Sequence, residues 1–222
     1  MEYNIKPWFK TWWGIGILIF ITLVLIFIVA VGFYIYNSVQ TAKENAGIKL
    51  SGQQYNAAAG DHYWMGSDKA KITIVEFGDF ACANCEQAFP TIREISLKYK
   101  NDIKYIWRDY PVISDYSALL ALSARCAGEQ GLFWPMHDKL FQNQGVNTAD
   151  QLSTLANQIG ADLARYNDCI NKQKYLTQIQ KDLSDGQGFN ISGTPAYFIN
   201  GYKVEGNIPY NTFIQIIEGL KK

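Results

Sequence analysis

Residues 71–90, which read KITIVEFGDFACANCEQAFP, restrict the possible folds of this chain more than any other stretch. The stretch begins with a short apolar run that contains three β-branched residues, Ile72, Ile74 and Val75. Such a run is typical of a buried strand, which we expect to end near Gly78. From Glu86 onward apolar residues recur at steps of three or four, a period that predicts a helix. The chain is therefore expected to place a strand, a turn and a helix in direct succession.

Two cysteines with C-x-x-C spacing, Cys82 and Cys85, fall where that helix is predicted to begin. Free backbone N–H groups and the helix dipole favour an anion there, so we expect the Cys82 thiolate to be stabilised. The alternatives are a structural zinc half-site or an inert disulfide, but a second C-x-x-C or a His pair at ligand spacing is missing. We therefore predict a redox-active pair without a metal. Because the sequence has no flavin, haem or nucleotide motif, we expect no cofactor besides the dithiol itself.

Residues 14–36 form an apolar run without a charged side chain. As a helix this run would span about 34 Å, enough to cross a bilayer. The aromatic residues at its two ends are placed as in a membrane-interface belt: Trp12, Trp13, Tyr34 and Tyr36. A cleaved signal peptide is the competing interpretation, but its apolar core is normally about 7–15 residues and precedes a small-x-small site. We favour an uncleaved transmembrane anchor at 14–36, after a short cytoplasmic segment at 1–13.

The lysines near this run hardly distinguish its two orientations. Two precede it and two follow it, namely Lys6, Lys10, Lys43 and Lys49. Cysteine usage is the better guide, because disulfide chemistry persists in secreted and periplasmic compartments and is rare in the cytosol. We therefore expect residues 37–222 to lie outside the cytoplasm, in the periplasm or at the cell surface. The equal numbers of basic and acidic residues, 20 of each, give no global field that would attract nucleic acid.

The chain after the apolar run is expected to form a linker and one domain. Residues 37–62 are polar, rich in Ala, Gly, Gln and Asn, and show no clear period, which is typical of a linker. Residues 63–222 have the length of one domain with one core. Alternating apolar residues at 102–107 predict a second strand. The pattern is then helical over about 115–187.

Within the helical stretch, Thr148 and Gln151 form a capping-box pattern at the start of one helix. A longer helix is predicted from about Asp162 through Leu183, with Asp185-Gly186 as its end.

Strands return near the end of the chain. Residues 196–199 and 202–205 flank Asn200-Gly201, which is a strong hairpin signal because both residues tolerate positive φ. Pro209 then opens a last amphipathic helix. The order of elements predicts an α/β domain with a helical insertion.

This order, with C-x-x-C at the first helix and Thr194-Pro195 before the hairpin, resembles the thioredoxin fold of the DsbA-like thiol:disulfide oxidoreductases. The similarity covers about residues 63–222 and is carried by four stretches: FGDFACANC, WRDYPV, SARCAGEQGLFWPMHDKLF and SGTPAYFING. It implies that Cys82 is the exposed nucleophile and Cys85 the buried resolving thiol. It further implies that Pro195 is a cis-proline facing the disulfide, with backbone groups of Thr194 offered to a substrate peptide.

Four further expectations concern Pro90, Pro195, Glu76 and Asp79. Pro90 corresponds to the proline that kinks the active-site helix in many thioredoxin-like proteins. For Pro195, the residue pattern alone leaves a trans turn proline as the alternative. Glu76, on the strand that leads to the cysteines, is a candidate buried carboxylate with a raised pKa that relays a proton to Cys85. The alternative is a strand glutamate that points to solvent. We expect Asp79 to be a turn residue.

The other two cysteines, Cys126 and Cys169, fall on two predicted helices of the insertion. An even cysteine count in an oxidising compartment favours a structural disulfide between them. Unpaired core cysteines are one alternative, and a four-cysteine zinc site is another.

These patterns predict a membrane-anchored enzyme that introduces disulfides into exported proteins and is reoxidised by a membrane electron acceptor. The alternatives are a disulfide reductase or isomerase with the same site, and a non-catalytic thioredoxin-like binding module. The dipeptide Ala83-Asn84 replaces the Pro-His found in many strongly oxidising members, and this leaves the redox potential open. We expect an apolar surface that includes Phe80 to hold unfolded substrates.

Overall fold

The computed structural model describes residues 12–45, 50, 52–60 and 62–221. The chain divides into two units, Met1–Gly47 and Ile48–Lys222, which are described separately below. The predicted cytoplasmic segment at 1–13 lies almost entirely outside the described residues.

The described residues of the first unit form one long helix, α1, from Trp12 to Asn45. Its part from Ile15 to Ser38 has a mean hydropathy of 3.2 and is long and apolar enough to cross a membrane. The helix continues through the first residues of the predicted linker, because residues 37–45 contain no glycine or proline that would end it. The first part of the predicted linker, residues 37–45, is therefore helical.

The second unit is built on a mixed five-stranded sheet. The strands are β1 (Trp64–Gly66), β2 (Ile72–Gly78), β3 (Ile103–Asp109), β4 (Ala196–Ile199) and β5 (Tyr202–Glu205). Their order across the sheet is β1-β3-β2-β4-β5. Strands β2 and β3 are parallel, and the other neighbouring pairs are antiparallel. The central strand β2 is buried along almost its whole length, as its continuous apolar run predicts.

Seven helices complete this unit among the described residues. They are α2 (Ala83–Lys98), α3 (Ser117–Gly128), α4 (Phe133–Gln142), α5 (Ala149–Gln158), α6 (Leu163–Asn171), α7 (Leu176–Gly188) and α8 (Tyr210–Leu220). Helices α2 and α8 pack their apolar residues on one face of the sheet. Helices α3 to α7 form a block between β3 and β4. The predicted fold class, a thioredoxin fold with an inserted helical subdomain, is confirmed.

Two local predictions are confirmed residue by residue. Asn200 and Gly201 both adopt positive φ, at 49° and 86°, in the turn between β4 and β5. The Thr148 hydroxyl accepts a hydrogen bond from the Gln151 backbone N–H, and the Gln151 side chain accepts one from the Thr148 N–H. These features depend on neighbouring residues only, which is why the sequence predicts them well.

The predicted long helix from Asp162 through Leu183 is wrong, because the structure divides it into α6 and α7. Gln173 between them has a φ of 48°, a left-handed conformation that no helix continues through. The predicted end at Asp185-Gly186 is also wrong, since α7 runs to Gly188. Gly186 is needed there for space, because an added Cβ would lie 2.6 Å from the Tyr110 ring.

The last part of the predicted linker also belongs to the domain. Gln54 forms an isolated bridge with Tyr202, and the Tyr55 N–H donates to the Gly201 carbonyl at 2.9 Å. Ala57 is buried, and its carbonyl accepts a hydrogen bond from Arg108 at 3.2 Å. The edge strand β5 offers unpaired backbone groups, and these residues satisfy some of them. The domain therefore begins before residue 63.

Cys126 on α3 and Cys169 on α6 form a disulfide, with their Cα atoms 5.7 Å apart. Bonded to each other, they offer no thiolate ligand to a metal in this state. The bond joins two helices of the insertion and closes a long loop.

Replacing both residues, as Cys126→Ala with Cys169→Ala, is expected to lower the free energy of unfolding by about 4 kcal/mol in the chain-entropy model. Denaturant unfolding of the full chain in detergent, followed by tryptophan fluorescence, measures the change. Under reducing conditions the parent and the variant should unfold at nearly the same denaturant concentration. Equal stability of the two under oxidising conditions would contradict the prediction.

Candidate active site

The Cys82 residue is the N-cap of α2. Its backbone N–H donates to the Asp79 carbonyl at 3.0 Å, and its carbonyl accepts from the Glu86 N–H at 3.0 Å. Its φ and ψ of −84° and 118° are extended, so the chain leaves β2 and enters the helix at this residue. The Cys82 sulfur therefore lies at the positive end of the helix dipole.

Both active-site cysteines are free thiols, and both are buried. Cys82 is 4% exposed and Cys85 is 1% exposed, so the expectation of an exposed Cys82 is wrong. The loop that contains Thr194 covers the sulfur: the Cys82 Sγ lies 3.3 Å from the Thr194 carbonyl oxygen. The opposite side of the pair packs into the apolar cluster that includes Phe80 and helices of the insertion.

The two thiols have opposite protonation tendencies. A hydrogen bond from the Cys85 thiol lowers the pKa of Cys82 to about 5. The Thr194 side chain and the Asn84 and Cys85 backbone N–H groups act in the same direction, while burial opposes them. Burial, the hydrogen bond to Cys82 and the charge of Glu76 raise the pKa of Cys85 far above its ordinary value. At neutral pH Cys82 is therefore a thiolate and Cys85 a protonated thiol, which makes Cys82 the better nucleophile.

The Thr194–Pro195 peptide bond is cis, and it lies directly before β4. The Pro195 carbonyl accepts a hydrogen bond from the Gly206 N–H at 2.8 Å, which fixes the loop to the end of the hairpin. This loop brings Thr194 over the Cys82 sulfur. The structure thus places together the four residues Cys82, Cys85, Thr194 and Pro195.

Glu76 on β2 is 3% exposed and does not point to solvent. Its Oε2 accepts a hydrogen bond of 2.8 Å from the Tyr105 hydroxyl. Burial raises the pKa of Glu76 to about 7, against the lowering effect of the Tyr105 hydrogen bond and of the nearby Tyr197 hydroxyl. Because the charge of Glu76 also raises the pKa of Cys85, the two groups are close enough to influence each other. A carboxyl group with a pKa near neutrality can both take and release a proton.

Asp79 does more than form a turn. It is 2% exposed, and its carboxylate accepts three backbone hydrogen bonds of 2.8 Å each, from Ala81, Val112 and Ile113. These bonds join the active-site turn to the loop that follows β3. The partners on that loop are far away in sequence, so sequence reasoning had only the position after a buried strand as a signal.

Gln144, in the loop after α4, was missed by sequence reasoning. Its Nε2 donates to the carbonyl oxygens of Phe80 and Cys82, both at 3.0 Å. Phe80 itself is 2% exposed and stacks on Trp107 with ring centroids 4.8 Å apart. The prediction that Phe80 lies on a substrate-binding surface is therefore wrong, because the ring is part of the core.

A buried ionic cluster connects β3 to the helical insertion. Arg108 on β3 donates two hydrogen bonds to Asp182 on α7, at 2.6 and 2.8 Å. Arg125 on α3 donates to the same carboxylate at 2.6 Å and to Asp109 at 2.5 Å. Asp109 also accepts a hydrogen bond of 2.8 Å from the Trp107 indole. The cluster fixes α3 and α7 to the strand beside β2, which leads to the active site.

Comparisons with known proteins agree with this architecture. Residues 58–219 match the Thioredoxin_4 family, whose description is thioredoxin. BdbD of Bacillus subtilis, in its oxidised form, is 26% identical, with a TM-score of 0.67 over 78% of this chain and 98% of that protein. The thiol-disulfide exchange protein alpha-DsbA2 of Wolbachia pipientis shares the fold, with a TM-score of 0.66, 21% identity and coverage of 83% and 97%.

Curated relatives with higher identity are longer proteins. The Na(+)/H(+) antiporter NhaA 1 of Salinispora arenicola is 36% identical over 149 residues, which are 66% of this chain and 22% of that protein. The Na(+)/H(+) antiporter NhaA 3 of Salinispora tropica is 35% identical over 153 residues, or 68% and 23%. This chain spans less than a quarter of their length, so the antiporter name describes those proteins and is not transferred. The chain belongs to the thioredoxin family, as a DsbA-like thioredoxin-fold oxidoreductase.

Proposed function

We propose that this protein is a membrane-anchored thiol:disulfide oxidoreductase that forms disulfides in exported proteins through Cys82 and Cys85. The observation that carries the proposal is the selective stabilisation of the Cys82 thiolate at the start of α2. Stabilising the thiolate stabilises the reduced pair, and a stable reduced pair makes the corresponding disulfide a stronger oxidant. The buried, protonated Cys85 supplies the second sulfur.

The reaction starts from the oxidised Cys82–Cys85 pair. A substrate thiolate attacks the Cys82 sulfur, a mixed disulfide forms, and Cys85 leaves with the electron pair and takes a proton from Glu76. A second substrate thiolate then attacks the substrate sulfur of the mixed disulfide and releases Cys82 as a thiolate. The substrate gains one disulfide, and the enzyme pair gains two electrons. A low pKa makes Cys82 a good leaving group in the second step.

We further propose that α1 anchors the domain in the cell membrane with the thiols on the extracytoplasmic side. The apolar stretch Ile15–Ser38 and the Cys126–Cys169 disulfide support this location. A periplasmic thioredoxin-like protein of Salmonella enterica serovar Typhimurium shares the fold, with a TM-score of 0.64 and 25% identity. A membrane electron acceptor would reoxidise the pair after each turnover.

The reduction potential of the pair tests the proposed direction. We expect equilibration of the full chain with glutathione buffers to give a potential nearer to about −120 mV, as for strong oxidases, than to about −270 mV, as for thioredoxin. Thiol trapping followed by mass measurement of the Cys82–Cys85 peptide gives the oxidised fraction. A chain with Cys85→Ala is the control, because it can form no intramolecular disulfide at this site.

A value near −270 mV would favour a reductase over an oxidase. A pair that does not exchange with glutathione at all would favour the non-catalytic binding module.

A further inference from the structure

The Glu76 carboxyl lies between two tyrosines on neighbouring strands. Glu76 pairs with Tyr197 in the β2–β4 ladder and with Trp107 in the β2–β3 ladder. Tyr105, two residues before Trp107, therefore faces the same side of the sheet as Glu76. Its hydroxyl donates to Glu76 Oε2 at 2.8 Å. The three side chains are almost completely buried, with exposures of 3% for Glu76, 1% for Tyr105 and 0% for Tyr197.

The Tyr197 hydroxyl is buried and has no hydrogen-bond partner within the part of the chain that the structure describes. A buried hydroxyl without a partner is unfavourable, and a phenylalanine ring would fill nearly the same volume without this cost. Burial and, after it, the charges of Glu76 and Cys85 raise the pKa of Tyr197 well above its ordinary value. The hydroxyl therefore lies within the electrostatic influence of the carboxyl and of the thiols.

The remaining surroundings of Glu76 are mainly apolar. Helices α2 and α8 cover this face of the sheet with the side chains of Ile92, Ile95, Phe213, Ile216 and Ile217. The titratable groups that act on Glu76 are Tyr105 from β3, Tyr197 from β4 and Cys82 at the start of α2, and the charge of Glu76 acts in turn on Cys85. The two tyrosine hydroxyls are thus the hydrogen-bond donors that these elements direct toward an ionised Glu76.

We propose that Tyr105 and Tyr197 are positioning residues for proton transfer between Glu76 and Cys85. Tyr105 holds the carboxyl through the hydrogen bond seen in the structure, and Tyr197 donates a second one when the carboxyl ionises. This inference rests on the proposed function, in which Cys85 takes a proton from Glu76 as the Cys82–Cys85 bond breaks. The negative charge left on Glu76 is then stabilised by two hydroxyl donors in a buried site, where bulk water does not solvate it.

The test measures the ionisation of Glu76 directly, by the infrared C=O band of its protonated carboxyl as a function of pH in the oxidised full chain. Glu76→Gln identifies the band. We expect Tyr105→Phe and Tyr197→Phe each to raise the pKa of Glu76 by about one pH unit, because each removes a hydrogen bond to the charged form. Tyr166→Phe is the matched control: it removes a buried hydroxyl that is bonded to Ser123, 2.6 Å away on the insertion, and it should leave the band unchanged.

The second part of the test measures the rate at which a small thiol reduces the oxidised Cys82–Cys85 pair, across the same pH range. Both phenylalanine variants should move the midpoint of this pH profile upward together with the infrared midpoint. In a Glu76→Gln chain neither tyrosine substitution should change the profile further. An unchanged Glu76 titration in Tyr197→Phe, or a tyrosine effect that persists in Glu76→Gln, overturns the proposal. If the infrared shifts occur but the parent chain shows no thiol exchange, it is the proposed function that fails.

Discussion

Replacing Cys82 by serine is expected to abolish thiol:disulfide exchange, with a loss on the order of a thousandfold or more. A serine hydroxyl is not ionised at neutral pH, and no mixed disulfide can form through oxygen. The loss should be complete in an assay that follows the oxidative refolding of a reduced protein by the purified full chain. The fold should remain, because serine can still occupy the N-cap position of α2.

Cys85→Ser is the matched variant for this experiment. It keeps the Cys82 nucleophile and a hydroxyl donor beside it but removes the resolving thiol. Mixed disulfides between Cys82 and substrate proteins should therefore accumulate and become visible as reducible adducts on gels. Substantial exchange activity in Cys82→Ser, or adducts that form equally in that variant, would show that the chemistry does not proceed through this residue.

The second large effect concerns stability. Asp182→Ala is expected to lower the free energy of unfolding by about 3–5 kcal/mol, because it leaves two buried guanidinium groups without their shared partner. Arg108 is 0% exposed and Arg125 is 4% exposed, and each donates to a different oxygen of the Asp182 carboxylate. Denaturant unfolding of the full chain in detergent, followed by tryptophan fluorescence, measures the loss.

Asp168→Ala provides the control for charge removal. Asp168 forms an ion pair with Lys172 on the surface of α6, where both side chains are more than half exposed. Exposed pairs of this kind contribute roughly 0–1 kcal/mol, so this variant should unfold close to the parent. Arg108 also donates to Asp185, and Arg125 also donates to Asp109. If Asp182→Ala proves equally mild, these two carboxylates neutralise the arginines without Asp182.

The elements that were predicted correctly depend on short-range chemistry. The buried run in β2, the capping box at Thr148 and the hairpin at Asn200-Gly201 each carry their signal within a few residues. The same is true of the helix start at Cys82. Such signals predict the structure correctly because the local conformational preferences and the final fold agree.

The elements that were missed depend on partners far away in sequence. The three residues of β1 become a strand only by pairing with β3, and Gln54 joins the sheet only because β5 leaves an open edge. Gln144 donates to backbone carbonyls of the active-site turn, and the identity of the residue alone does not predict this contact. The break at Gln173 falls in a stretch without glycine or proline, so helix propensity gave no sign of it.

Oxidation of the two cysteine pairs of this chain changes the stability of the folded state in opposite directions. The Cys126–Cys169 bond restricts the unfolded chain and so favours the native fold when it is oxidised. At the start of α2 the preference is reversed, because the Cys82 thiolate receives hydrogen bonds that it loses on oxidation. The domain therefore combines a disulfide that stabilises the fold when it is oxidised with a redox pair that stabilises the fold when it is reduced. The first can keep the insertion rigid while the second changes between its oxidised and reduced states.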